Sequence, residues 1–182
     1  MTILILHGIG GYAGIHWQQW LYDRLIEKGY QVIMPGLPNP DHPDRTKWTK
    51  VVRKVIKGVD LKDLVIIGHS LGVVTALDVI EELNCPVKAL ISVSGFSQDY
   101  GAELNSYFLK EKEIDFDQIN RNLKKAFVSY GDNDPYVPQE ILKSLADRLG
   151  VKPQVFASGG HLNTDTGYTT FPELLKIINK LK

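Results

Sequence analysis

The 182 residues set 21 Lys and Arg against 21 Asp and Glu, with 43% hydrophobic and 23% charged residues. That is the length of one globular domain, 1–182, with enough apolar content for a full core. Charge neutrality supplies no field for nucleic acid or an anionic membrane. The single cysteine, Cys85, rules out an internal disulfide and an all-thiolate metal site.

The chain opens on an apolar strand, residues 2–7, without a basic leader, and no apolar run reaches membrane-spanning length, so a cytoplasmic location is expected. The turn His7-Gly8-Ile9-Gly10-Gly11 follows, then helical spacing over residues 17–28 and a short strand at 31–34. Residues 35–44 carry Pro35, Pro38, Pro40 and Pro43, which make a stiff loop. The helix expected at 46–58 interleaves Lys47, Lys50, Arg53, Lys54 and Lys57 with Trp48, Val51, Val52, Val55 and Ile56, the pattern of a solvated basic face on an amphipathic helix. Strand 64–68 leads into helix 71–83. Cys85, before Pro86, is expected to be a small buried filler.

Strand 87–93 is followed by 94–124, longer than an ordinary connection and rich in aromatics, with a short helix expected around 102–110. It suits a pocket wall or a small flap. Strand 125–130, helix 138–149, strand 154–157 and helix 171–181 complete the chain. Continuous apolar strands separated by helices predict a three-layer α/β/α sandwich around a mostly parallel six-stranded sheet.

The chemistry gathers at strand ends. Gly68-His69-Ser70-Leu71-Gly72 lies between an apolar strand and an apolar helix, the context of a nucleophile elbow. A sharp strand-to-helix reversal strains its central residue and needs nearly bare neighbours two positions away on each side. A serine hydroxyl is a poor nucleophile and needs a base with an orienting acid. The strand ending at Tyr130 runs into Gly131-Asp132-Asn133-Asp134-Pro135, where two aspartates compete. Asp134, before a proline in the turn to the next helix, is favoured as the acid, while Asp132 suits an Asx turn bonded to backbone N–H groups. The last strand runs into Ser158-Gly159-Gly160-His161, which offers His161 as the base.

His7 is expected to brace its turn, His69 to point away from Ser70, and His16 and His42 to be surface residues. The N–H of Leu71 and that of Ile9, with Gly10 as runner-up, are candidate oxyanion donors. Tyr12, Trp17, Tyr136 and Leu162 flank these loops as candidate pocket residues. Gly8-x-Gly10-x-x-Ala13 also fits a dinucleotide fingerprint, but the second strand ends without the acid that would hold ribose. No P-loop, zinc or calcium pattern appears, so neither metal nor cofactor is expected.

These motifs resemble the α/β-hydrolase superfamily, and more closely the compact serine hydrolases grouped with retinoblastoma-binding protein 9 and bacterial YdeN. The likeness rests on the short length, the His-Gly turn, Ile66-Ile67-Gly68-His69-Ser70, Gly131-Asp132-Asn133-Asp134-Pro135-Tyr136-Val137-Pro138 and Gly159-Gly160-His161-Leu162-Asn163. It implies a minimal sheet without a cap domain and catalytic Ser70, Asp134 and His161. The expected function is hydrolysis of small carboxylic esters, or of amides or thioesters, through an acyl-enzyme. The alternative is a protein-interaction module that keeps the hydrolase fold.

Overall fold

A computed structural model describes residues 1–182. Six strands, β1 (Thr2–Leu6), β2 (Gln31–Ile33), β3 (Leu64–His69), β4 (Ala89–Val93), β5 (Ala126–Gly131) and β6 (Gln154–Phe156), form one sheet in the order β2-β1-β3-β4-β5-β6. Every pairing is parallel, not merely most of them. Parallel neighbours need crossover connections. Here they are α1 (Gln18–Glu27), α2 (Arg45–Val55), α3 (Leu71–Glu82), α4 (Ser106–Lys110), α5 (Phe116–Arg121) and α6 (Gln139–Arg148), with α7 (Pro172–Asn179) closing the chain.

The period of two along each strand divides the apolar residues between two cores. Leu4, Leu6, Leu64, Ile66, Leu90 and Val128 face one layer, with Trp48 and Val52 of α2, most of α3, and Ile141 and Leu142 of α6. Ile3, Ile5, Val65, Ile67, Ile91 and Val93 face the other, with Leu21 and Leu25 of α1 and Leu174 and Ile178 of α7. Central β1, β3 and β4 are buried throughout, which is why they read as unbroken apolar runs, while the edge strands β2 and β6 are partly exposed. No helix is long and apolar enough to cross a membrane.

Connectivity fixes where a site can form. After β1 the chain adds β2 on one side, then returns to place β3 on the other. Loops leaving β1 and β3 therefore diverge at the carboxyl edge and open a crevice between them. The His7–Gly11 turn and Ser70 stand at that crevice.

Three details differ from the sequence reading. Val87 is not part of β4 but forms a lone bridge to Leu123 beyond Pro86. The helix expected at 102–110 covers only Ser106–Lys110, and α5, N-capped by Asp115 through the N–H of Gln118, follows it. Cys85 is half-buried rather than enclosed. Lys47, Lys50, Arg53 and Lys54 of α2 are exposed, as amphipathic spacing requires.

Arg45, at the start of α2, is the unforeseen structural element. Its guanidinium grips Asp78 of α3 through two bonds of 2.7 Å, with both side chains at most 4% exposed. Nη1 also donates to the carbonyl oxygens of Phe108, Leu109 and Lys112 at 3.1, 3.2 and 2.8 Å. A buried ion pair thus satisfies the last turn of α4 and pins the 94–124 segment to the body.

Candidate functional site

Ser70 sits between β3 and α3 with φ 53° and ψ −126°, a conformation that non-glycine residues seldom adopt. The flanking glycines are required by close approach. A Cβ on Gly68 would lie 2.8 Å from Val73 Cα, and one on Gly72 would lie 2.5 Å from the His7 carbonyl oxygen. The Ser70 N–H donates to the Val93 carbonyl at 2.9 Å, which anchors the elbow to β4. Leu71 begins α3, so its N–H has no acceptor within the helix.

The turn after β1 lies against this elbow. A Cβ on Gly8 would stand 2.9 Å from Ser70 Cβ. Gly10 donates its N–H to the Pro40 carbonyl at 2.8 Å, which removes it as an oxyanion donor, whereas Ile9 N–H enters no backbone hydrogen bond. His7 braces the turn. Its ring Nδ1–H donates to the Gly8 carbonyl at 2.8 Å and its Nε2 accepts from Leu37 N–H at 3.0 Å. Burial lowers its pKa and the Gly8 contact opposes that shift only in part.

Three consecutive side chains after β5 tie down three residues of the histidine loop. Asp132 accepts from Ser158 N–H at 2.8 Å and Asn133 from Gly160 N–H at 2.7 Å. Asp134 accepts from His161 Nδ1–H at 2.7 Å. The other oxygen of Asp134 takes the N–H groups of Tyr136 and Val137, and its side chain is wholly buried. Asp132 thus bonds a backbone N–H, but that of the distant Ser158 rather than one within an Asx turn of its own. Gly131 must be glycine, because a Cβ there would collide with the backbone of Gly159 and Gly160. With Nδ1–H engaged by a carboxylate, Nε2 is the imidazole nitrogen free to accept a proton. Ser70 and His161 line the same cavity without a direct hydrogen bond in this structure. Contacts of this kind commonly tighten only once substrate is bound.

His69 points toward the histidine loop, its Nε2–H donating to the His161 carbonyl at 3.0 Å. Its ring stands edge-on to His161 at 5.0 Å and to His16 at 5.4 Å. Burial, then the neighbouring imidazoles, hold its pKa well below the ordinary histidine value. Trp17 donates its indole N–H to the Leu162 carbonyl at 3.1 Å. Both side chains are fully buried, so they support the loop from behind rather than line the pocket.

A cavity of about 500 Å³ opens over Ser70. Of the four pocket candidates only Tyr136 lines it, with its ring 5.1 Å from His161. Trp17 and Leu162 lie beneath, and Tyr12 is exposed outside the lining. The 94–124 segment also contributes to the wall, through Tyr100, Ala102, Glu103, Leu104 and Asn105. His16, read from sequence as a surface residue, lines the cavity too. All six non-glycine residues at positive φ, His16, Asn39, Ser70, Ser94, Ser158 and Leu162, lie in loops at this edge of the sheet. Backbone strain concentrates at sites that surrounding structure must hold in place.

A family model for serine hydrolases matches residues 3–180. The chain is 25% identical over 178 residues to YdeN of Bacillus subtilis, covering 97% of this chain and 93% of that one. It is 28% identical over 177 residues to the serine hydrolase RBBP9 of Rattus norvegicus, covering 94% and 90%. The crystal structure of the Bacillus subtilis ydeN product superposes with a TM-score of 0.90 at 24% identity, over 99% of this chain and 97% of that one. The wider structural neighbours are α/β hydrolases, which fixes the fold class.

Proposed function

The chain belongs to the serine hydrolase family, and on that premise we propose that it acts as one catalytic domain on small carboxylic esters, or on amides or thioesters, through an acyl-enzyme at Ser70. The observation that carries this reading is the 2.7 Å bond between His161 Nδ1 and the buried Asp134, in a ring that shares a cavity with a strained serine.

In the proposed cycle Ser70 Oγ bonds to the acyl carbon as His161 Nε2 takes the hydroxyl proton. Asp134 holds the tautomer and offsets the imidazolium charge. The carbonyl electron pair moves onto oxygen, where the N–H groups of Leu71 and Ile9 stabilise it, each worth on the order of 10²–10³ in rate. The tetrahedral adduct collapses, and the imidazolium gives its proton to the departing alkoxide. Water, losing a proton to His161, then attacks the acyl carbon, and Ser70 recovers its proton as the acid leaves. No Lys or Arg lines the cavity, which suits an uncharged acyl group.

A fluorophosphonate probe is expected to label Ser70, and Ser70→Ala is expected to abolish both labelling and p-nitrophenyl acetate turnover. Equal turnover by the two proteins refutes the assignment. Absence of labelling together with stable capture of a protein partner points to an interaction module instead.

A further inference from the structure

His16 is an imidazole of the cavity wall that the proposed reaction leaves unused. It sits between the Gly8–Gly11 turn and α1 with φ 59°, a backbone region that a β-substituted residue occupies only when its surroundings insist. Those surroundings are visible. Its Nδ1 accepts the backbone N–H of Thr164 at 3.3 Å and lies 3.0 Å from Thr164 Oγ1. A backbone N–H can only donate, so Nδ1 carries no proton and the ring hydrogen is on Nε2. Protonating Nδ1 would set two donors against each other. Burial and the nearby His161 lower the pKa of His16 against the opposing pull of Asp165. The ring is therefore a neutral donor fixed in one tautomer. Its Nε2 has no protein partner and is not among the enclosed polar atoms.

The remaining groups say which substrate atom this donor serves. The scissile carbonyl oxygen already has the N–H groups of Leu71 and Ile9, and the departing oxygen receives its proton from His161. Thr164, which holds His16, lies three residues beyond His161, and the His69 ring packs edge-on against both imidazoles. His16 is therefore fastened to the same loop as the imidazole that releases the leaving alcohol. Glu103 is among the lining residues of the cavity and no Lys or Arg is, so an anionic leaving group is disfavoured.

We propose that His16 determines leaving-group specificity, its Nε2–H donating to a second, uncharged oxygen of the alcohol portion, so that the preferred substrates are esters of diols or polyols. The inference rests on the hydrolase reading above and deepens it.

The test compares 2-hydroxyethyl butyrate with propyl butyrate, which differ by a hydroxyl in place of a methyl group. Release of butyric acid is followed by pH-stat titration, and each rate is normalised to hydroxide hydrolysis of the same ester. One neutral hydrogen bond predicts a wild-type kcat/KM ratio of about three to ten in favour of the hydroxyethyl ester. In His16→Phe, which keeps a ring but has no donor, the ratio falls to about one whatever the absolute rates. His16→Asn tolerates the left-handed backbone but is too short to reach the Nε2 position, and it does the same. His16→Gln, whose amide can reach that position, recovers much of the preference. A wild-type ratio near one overturns the proposal, as does a ratio unchanged in His16→Phe or His16→Asn, or failure to hydrolyse either ester while Ser70 still takes a fluorophosphonate. Failure of Ser70 to react at all removes the hydrolase reading itself.

Discussion

The Asn133 side-chain carbonyl accepts the N–H of Gly160 at 2.7 Å, fastening the loop after β5 to the residue immediately before His161. Asp132 and Asp134 reach the same loop from either side of Asn133. Asp134, the proposed orienting acid, is thus one of three successive anchors on a loop that is short of side chains of its own, with Gly159 and Gly160 passing close over Gly131. Imidazole placement depends on all three contacts.

Removing the middle anchor should therefore cost rate more than stability. Asn133→Ala is expected to lower kcat/KM about tenfold to 10²-fold, the range for a displaced catalytic group. The loss of one neutral hydrogen bond should cost only about 1 kcal/mol in urea unfolding. Asn133→Asp keeps an acceptor at the same place and should retain most activity. An Asn133→Ala enzyme with wild-type kcat/KM would show that the loop is positioned without this bond.

The two aspartates separate cleanly under substitution. Asp134→Asn replaces the acceptor facing Nδ1–H and favours the wrong tautomer, so kcat should fall by about 10³–10⁴, whereas Asp132→Asn still accepts from Ser158 N–H and should remain within about threefold of wild type. Steady-state kinetics on p-nitrophenyl acetate reads both. A reversed order would move the acid to Asp132.

The Arg45–Asp78 pair makes a prediction about the cavity wall. Arg45→Met leaves Asp78 buried with only Lys112 Nζ, at 3.9 Å, nearby, and is expected to cost about 3–5 kcal/mol. The carbonyl oxygens at the end of α4 lose their donor at the same time. Arg45→Met/Asp78→Leu removes the orphaned charge and should regain at least half of the loss in a denaturant titration. If the double variant is no more stable than Arg45→Met alone, carbonyl satisfaction rather than charge burial dominates.

Acid should loosen the fold through its buried and half-buried imidazoles. His69, His7 and His16 all have pKa values held below the ordinary histidine value, chiefly by burial. Each stays neutral in the folded chain while the unfolded chain takes up a proton near pH 6.5. Their contribution is thus complete above about pH 6.5 and is lost as pH falls below it, because the unfolded state then binds more protons. His69→Gln keeps a donor for the His161 carbonyl but removes one titrating group. The fall in unfolding free energy between pH 6.5 and 5 should become shallower by up to about 1.4 kcal/mol per pH unit. An unchanged slope would mean that His69 takes up a proton without unfolding.

Local chemistry is what the sequence by itself determined. Unbroken apolar runs gave the parallel sheet because strands covered on both faces have no polar side to display. The glycines around Ser70 and the Gly-Gly before His161 mark turns that only small residues allow, and their place after strands fixed the edge at which these groups gather. The tertiary structure alone decided which side chains face the cavity. Trp17 and Leu162 went beneath it and His16 onto its wall. Arg45 found Asp78, 33 residues away. Such outcomes depend on strand order: β1 lies between β2 and β3, and that arrangement brings the loop after β1 against Ser70. Periodicity reports whether a residue is covered, but not by what, because the covering partner comes from a distant part of the chain.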